Sequence, residues 1–381
     1  MAGEFSAECL EVLRLLKERK NVLISGAPGT GKSRLLGEVA KAFLTSPIAS
    51  QPTSGPVHVP GARVAIPANP PSETDVALQS VWPAPARQIR KVYRTAFHQN
   101  YKHREFITGL VPVTNGGQGF KVVQGKLYLA SENAKADESA ALLIIDEINR
   151  GPAVQIFGGS IVAIEPDKRL KEDNTPKTET QYFDLLCPNT GGIVEYALPE
   201  HLYILAAMNQ ADASVEPLDV AFLRRWAPYG LKPDFAILRE RFNLGPPNQG
   251  TLPEPPTETA HVYEAAVRAW EAVNQRISLG RGSEFQLGHG VFLTGATAPA
   301  QDLPGALSTI SEVWGYIQTH IEEVFFGDLR GIATVYNVID GPSTHPFRLT
   351  ETTFADEPRL VLDKPAVTVD NIYKLLLSVA G

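Results

Sequence analysis

Three groups of residues have the types and spacing to do chemistry together. The first is Gly26-Ala27-Pro28-Gly29-Thr30-Gly31-Lys32-Ser33, which fits the pattern G-x-x-x-x-G-K-[ST] at every fixed position. Glycines let the backbone bend until successive N–H groups point inward at phosphate oxygens. Lys32 then places a point charge near the β- and γ-phosphates, and the Ser33 hydroxyl is set to ligate Mg²⁺. The plain alternative is a Gly/Pro-rich turn, but the pattern follows a strand-like run and opens a helix-like one, as phosphate binding requires.

The second group is Asp146-Glu147, which closes the apolar run Ala141–Ile145. Strands buried on both faces are apolar throughout, and their C-terminal ends open onto the ligand crevice. A carboxylate there suits the Mg²⁺ shell, which is the role expected of Asp146. Glu147, one residue on, is placed to orient and deprotonate an attacking water. The third group is looser. Asn209 ends another strand-like run, His201–Ala207, where its amide can reach a γ-phosphate or the water; a turn asparagine is the alternative. Arg224 and Arg225 end a helix beginning near Leu218. They are either a solvated pair complementing the helix dipole or an arginine finger for a neighbour's nucleotide. The implied chemistry is hydrolysis of a Mg²⁺-bound nucleoside triphosphate, ATP or GTP.

The elements that must position these residues are legible as patterns. Cys9, Leu10, Val12, Leu13 and Leu16 make the apolar stripe of a leading helix. Asn21–Ser25 predicts a buried strand, Lys32–Phe43 a helix, Val92–Phe97 a strand and Tyr101–Leu110 a short helix. Residues 45–72, rich in Pro, Ser and Gly, predict an irregular loop. Two β-hairpins are expected, Phe120–Leu129 turning at Gln124-Gly125 and Gln181–Leu198 turning at Asn189–Gly192. Beyond Trp226 only helical patterns follow, at Ala260–Ile277, Ala306–Phe326 and Thr368–Val379, separated by proline-rich loops. Strands alternating with helices and then helices alone predict an α/β domain over 1–228 and a helical domain over 229–381.

Composition narrows the setting. The 381 residues are 43% hydrophobic and 20% charged, ordinary for a globular chain. No run approaches the roughly 18 apolar residues of a membrane helix, and the acid-bearing N-terminus lacks the features of a signal peptide. Two distant cysteines, Cys9 and Cys187, suggest neither a disulfide framework nor a zinc site and fit a reducing cytoplasm. Thirty-five basic against 42 acidic residues leave a net charge of −7, so extended DNA binding by this surface alone is not expected.

Several longer stretches resemble the McrB branch of AAA+ proteins, within the wider MoxR and dynein-related group. They are Ile145–Arg150 (IDEINR), Phe157–Arg169 (FGGSIVAIEPDKR) and Leu198–Asp212 (LPEHLYILAAMNQAD). Phe97–Phe106, Phe285–Phe292 and Ile321–Asp328 are similar to further family segments, so the likeness runs from about residue 20 to about 335. It implies an AAA+ P-loop parallel sheet flanked by helices, with hairpin inserts and a C-terminal helical lid.

The resemblance also implies roles. Asn209 would be sensor 1, and Arg224 or Arg225 a trans finger within a ring, expected to be a hexamer with nucleotide at its subunit interfaces. Asn149, Arg150 and Asp212 would form a polar cluster near the lytic water, solvated loop residues being the alternative. The hairpins would face the pore or a partner. His289 falls where the lid approaches nucleotide, though a structural histidine is an equal reading. Two departures stand out. Ala213 follows Asp212 where the family often has arginine, and barely twenty residues precede the first strand where McrB has a DNA-reading domain. Base reading is therefore expected from another polypeptide, or not at all. The leading expectation is a cytoplasmic motor that drives a McrC-like nuclease in antiphage or other restriction, with DNA contact made through the partner. A MoxR-like remodelling or cofactor-inserting ATPase and a nucleotide-gated scaffold are the alternatives. The McrB likeness favours GTP and the wider class ATP, with a slight lean to ATP.

Overall fold

The computed structural model describes residues 5–45, 73–113, 119–211, 218–247, 250–293 and 298–381. Nearly all of the expected 45–72 loop, and Asp212 with Ala213, lie outside the described residues. The chain divides into two compact units, Met1–Ser25 with Lys32–Gly230, and Gly26–Gly31 with Leu231–Gly381.

In the first unit α1 (Ala7–Arg19) leads into β1 (Asn21–Gly26), α2 (Lys32–Leu44), α3 (Glu73–Val81) and β2 (Ile89–Ala96). Next come α4 (His103–Phe106), β3 (Thr108–Pro112), β4 (Phe120–Gln124), α5 (Lys126–Lys135) and β5 (Ser139–Asp146). The short helices α6 (Ala153–Phe157) and α7 (Ser160–Ala163) precede β6 (Phe183–Leu186), β7 (Ile193–Tyr196), β8 (Leu202–Asn209), α8 (Val220–Leu223) and β9 (Ala227–Leu231). Strands β2, β5, β8, β1 and β9 form one sheet in that order. The first three run parallel, with Tyr93 beside Leu143 and Leu143 beside Ile204. Parallel neighbours cannot be joined by tight turns, so the helices serve as crossovers covering the sheet faces. That is why β5 reads SAALLIID and is buried until its last residue. At the N-terminus, the Ser6 hydroxyl caps α1 by accepting from the Cys9 N–H at 3.2 Å, and Cys9, Val12, Leu13 and Leu16 are buried as the stripe requires.

The parallel α/β sheet and its flanking helices are as the sequence predicts, but of the two expected hairpins one does not form where expected. Phe120–Leu129 is not a hairpin. Its first half, β4, pairs backwards with β3, Leu110 facing Val122, and Gly125 is the N-cap of α5. The apolar residues of KLYLAS therefore lie on a helix, where Leu127 and Ala130 are buried. By the same pairing Thr108–Pro112 leaves the expected Tyr101–Leu110 helix to become a strand. The second hairpin stands where expected, with Leu185 opposite Val194.

Buried His201, just before β8, has both ring nitrogens without a hydrogen-bond partner among the described residues. Burial, reinforced by the nearby charges of Arg87 and Lys20, lowers its pKa from 6.5 to about 4. The unfolded chain thus binds a proton between these values that the folded chain refuses, so stability is lost as pH falls through that window. His201→Phe should remove this component, measured as a shallower decline of Tm from pH 6.5 to 4.5 than in the wild type.

The second unit contains α9 (Phe235–Arg241), the long helices α10 (Thr259–Gly280) and α11 (Leu303–Val324), α12 (Leu329–Val335) and α13 (Ile372–Ala380). Trp270 and Val273 on α10, Trp314 and Ile317 on α11, and Leu376 on α13 share its core. Asp302 and Asp328 cap α11 and α12 through their carboxylates, each 2.8 Å from a backbone N–H. The expectation of helices alone fails at one place. β10 (Arg348–Phe354) and β11 (Glu357–Asp363) make an antiparallel ribbon, Leu349 facing Leu362. Its turn, Ala355-Asp356, has positive φ at both residues, 51° and 62°. That is the backbone of a two-residue hairpin turn without the Asn-Gly signature that announces one. Among the described residues no helix is long and apolar enough to cross a membrane.

Candidate functional site

By chain order the phosphate-loop motif joins the end of β1 to the first turn of α2. Gly29 and Gly31 have φ of 76° and 90°, the left-handed region that a side chain would strain. Thr30 is buried, and its hydroxyl donates to the Ala27 carbonyl at 2.8 Å, closing the loop on itself. Lys32 and Ser33 open α2. Burial lowers the Lys32 pKa, while the carboxylates of Glu147 and Asp146 oppose that shift and favour its charged form.

Those carboxylates come from the end of β5. The Asp146 Oδ1 accepts from the Glu147 N–H at 3.0 Å. Glu147 itself has φ 51° and ψ 45°, a left-handed conformation uncommon outside glycine. Such strain persists where neighbours over-determine it, and here they do. The Asn209 Nδ2 donates to Glu147 Oε1 at 2.8 Å, and the Arg150 Nε lies 3.3 Å from Oε2. The Asn149 Nδ2 donates to the Asn209 carbonyl at 2.7 Å, binding the ends of β5 and β8 together. Asn149 is buried, and among the described residues its Oδ1 has no hydrogen-bond partner. Asp146, Glu147, Asn149, Arg150 and Asn209 are thus brought together. Asp212, which the resemblance adds to the cluster, lies outside the described residues.

The two arginines part ways. The Arg225 Nε sits 2.9 Å from Glu165 Oε1, its guanidinium donates to the Ala221 carbonyl, and its side chain is almost wholly buried. Its own carbonyl accepts from the Asn21 Nδ2 at 3.2 Å. Arg224, one residue earlier, is exposed. A chain of aromatic rings leads to this corner from the end of β2. Phe97 stacks on Tyr101 at 5.0 Å and meets Phe106 at 5.4 Å. Phe106 then touches Phe157 at 4.7 Å, and Phe157 touches Phe222 of α8 at 5.3 Å. The Phe97–Phe106 segment is therefore core that fixes α8, the helix preceding the arginines.

Three residues singled out for no role by type or spacing hold the same corner. Arg169 is fully buried, and burial, opposed by the nearby charge of Glu200, brings its pKa down to about 10. It donates to the Ile164 carbonyl, the Leu202 carbonyl and, at 2.6 Å, to Asn21 Oδ1. Asn21 passes that restraint to Arg225, and Glu165 grips the Arg225 side chain. Arg169 and Glu165 fall inside the Phe157–Arg169 stretch, so the pattern was the available signal. His289 accepts from the Asp234 N–H at 3.2 Å within the second unit.

Residues 81–226 match the family described as AAA domain (dynein-related subfamily). The chain is 27% identical over 323 residues to the Type IV methyl-directed restriction enzyme EcoKMcrB subunit of Escherichia coli K12, across 83% of this chain and 56% of that protein. It is 28% identical over 211 residues to the Type II restriction enzyme BsuMI component YdiS of Bacillus subtilis 168, across 55% of this chain and 56% of that protein. The chain therefore spans little more than half the length of either relative.

Proposed function

We propose, from the premise that this chain is an McrB-like AAA+ protein, that it is the nucleoside triphosphate-hydrolysing motor subunit of a restriction complex, acting as a ring that drives a McrC-like nuclease. The observation that supports this most is the Glu147 carboxylate, held in a strained backbone conformation by Asn209 at 2.8 Å and set after a β5 end that carries Asp146. A carboxylate so restrained can take a proton from water at one stated atom. Oε1 accepts from the amide of Asn209, and we assign Oε2, 3.3 Å from the Arg150 Nε, as the general base. The Asn149 Oδ1 can accept the second proton of the same water and so align its lone pair. Gly26–Gly31 would hold the phosphates through backbone N–H groups and Lys32 through its charge.

Mg²⁺ fits the donors present. Ser33 and Asp146 offer a hydroxyl and a carboxylate, hard oxygen ligands of the kind that share this ion with substrate phosphates. Among the described residues no group of three or more His, Cys, Asp and Glu could hold a metal alone. When bound there, the ion would neutralise charge developing on the β- and γ-oxygens.

Arg224 is the residue we assign as the trans finger, because Arg225 is tied down within its own subunit. Names of both relatives refer to restriction enzymes, which favours a nuclease partner over a protein-remodelling role. A cytoplasmic setting goes with that reading. With a net charge of −7, the isolated chain should bind duplex DNA weakly and with strong salt dependence. The test is turnover of ATP and GTP side by side, with and without DNA and the nuclease-like product of a neighbouring gene. We expect Mg²⁺-dependent hydrolysis stimulated by that partner. No turnover of either nucleotide, or tight sequence-selective DNA binding by the chain alone at physiological salt, would contradict the reading.

A further inference from the structure

Glycines 288 and 290 lie outside every motif assigned a catalytic role, yet they touch the phosphate-binding loop directly. The Gly288 N–H donates to the Pro28 carbonyl and the Gly290 N–H to the Gly29 carbonyl, each at 2.8 Å. The approach leaves no room for a side chain. A Cβ on Gly288 would stand 2.1 Å from the Gly29 carbonyl carbon, and one on Gly290 would stand 2.7 Å from the Gly29 carbonyl oxygen. The segment carrying these glycines is itself fastened to α10. Asn274, fully buried, accepts from the Leu287 N–H at 2.7 Å and donates to the Leu287 carbonyl at 2.9 Å. The Trp270 Nε1 donates to that carbonyl as well, at 3.0 Å. His289, between the two glycines, takes the Asp234 N–H, which fastens the segment at its other side.

We propose that Leu287–Gly290 is a positioning clip that fixes the phosphate-binding loop in its anion-holding form and couples nucleotide occupancy to α10. The reason lies in peptide geometry. In a planar trans peptide the C=O of one residue and the N–H of the next point in opposite directions. Holding the Pro28 carbonyl from outside therefore aims the Gly29 N–H the other way, where a phosphate cradle needs donors, and the Gly29 carbonyl bond holds the next peptide, whose Thr30 N–H lies 3.4 Å from the Ala27 carbonyl, in the same loop form. The clip and the loop must also move together. An anion that orders the loop strengthens the two backbone bonds, and loss of those bonds loosens the loop. Gly288 and Gly290 have no side chain to bring to the nucleotide, so their contribution is orientation. The proposal rests on the reading of Gly26–Ser33 as a nucleotide loop.

The test uses the full chain with magnesium and the fluorescent N-methylanthraniloyl forms of ATP and GTP. Gly288→Ala should weaken nucleotide binding about ten-fold or more, the scale of leaving buried backbone groups unpaired. Its KM should rise more than its kcat falls, and Tm without nucleotide should stay close to that of the wild type. Because a backbone clash can also unfold the chain, amide hydrogen exchange on the wild type gives an independent reading. Nucleotide should slow exchange at Gly288 and Gly290 about ten-fold or more while leaving the middle of α11 unchanged. Wild-type protein that binds nucleotide with no change at these two amides, or a folded Gly288→Ala variant that binds normally, would overturn the clip and leave the nucleotide reading standing. Wild-type protein that binds neither analogue would overturn both.

Discussion

Glu147→Gln is expected to abolish turnover while leaving nucleotide binding and assembly intact. The substitution keeps the shape and one carbonyl oxygen to accept from the Asn209 amide, which lies 2.8 Å from the present carboxylate. What it removes is the proton acceptor at Oε2, so the fall in kcat should be about 10²–10⁴-fold. The Lys32 charge would lose one of the two carboxylates that favour it, but Asp146 remains. A fluorescent nucleotide titration should therefore give an affinity within a few-fold of the wild type. Lys32→Ala should behave in the opposite way and lose the binding signal itself. Near-normal turnover in the Gln variant would remove Glu147 from the role of base.

Arg224→Ala is expected to reduce turnover about 10³-fold or more, as for other arginine fingers, with binding and Tm retained. The structural contrast with Arg225 gives this prediction its control. Arg225 is almost wholly buried and paired with Glu165 at 2.9 Å, so Arg225→Ala should strand a half-buried carboxylate and lower Tm before it says anything about catalysis. A stable Arg225→Ala variant with the larger kinetic defect, beside an active Arg224→Ala variant, would exchange the two assignments.

The parts of this fold written most plainly in the sequence are those in which one residue type answers one physical demand. A strand covered on both faces must be apolar, so β5 and β8 stand out, and the residues at their ends are placed with them. The acidic pair and the asparagine follow from that, and the structure brings Glu147 and Asn209 into contact. The phosphate-loop glycines are legible for a similar reason, since few residues tolerate the φ of Gly29. What escaped depends on partners distant in sequence. Gln124-Gly125 has turn composition, but β4 finds its partner upstream in β3, and pairing decided the outcome over local propensity. The β10–β11 ribbon was missed because Ala355-Asp356 adopts the turn without its usual residues. Nothing about Arg169 as a residue type announces a buried cation satisfied by carbonyls, and nothing local separates Arg224 from Arg225. Their difference is made by Glu165 and Asn21, 60 and 204 residues from Arg225 in the chain.

A hydrolytic site with a trans finger is complete only where a neighbouring subunit supplies that arginine. A mixing assay reads this dependence. Glu147→Gln subunits keep an intact finger, and Arg224→Ala subunits keep an intact base, so a mixed ring contains interfaces that pair one with the other. Each variant alone should be nearly silent. Their mixture should regain turnover, in step with oligomers that form on adding a slowly hydrolysed analogue and are weighed by mass photometry. A mixture as silent as its components, from a protein that stays monomeric with nucleotide and whose wild-type turnover per chain does not change with concentration, would contradict it.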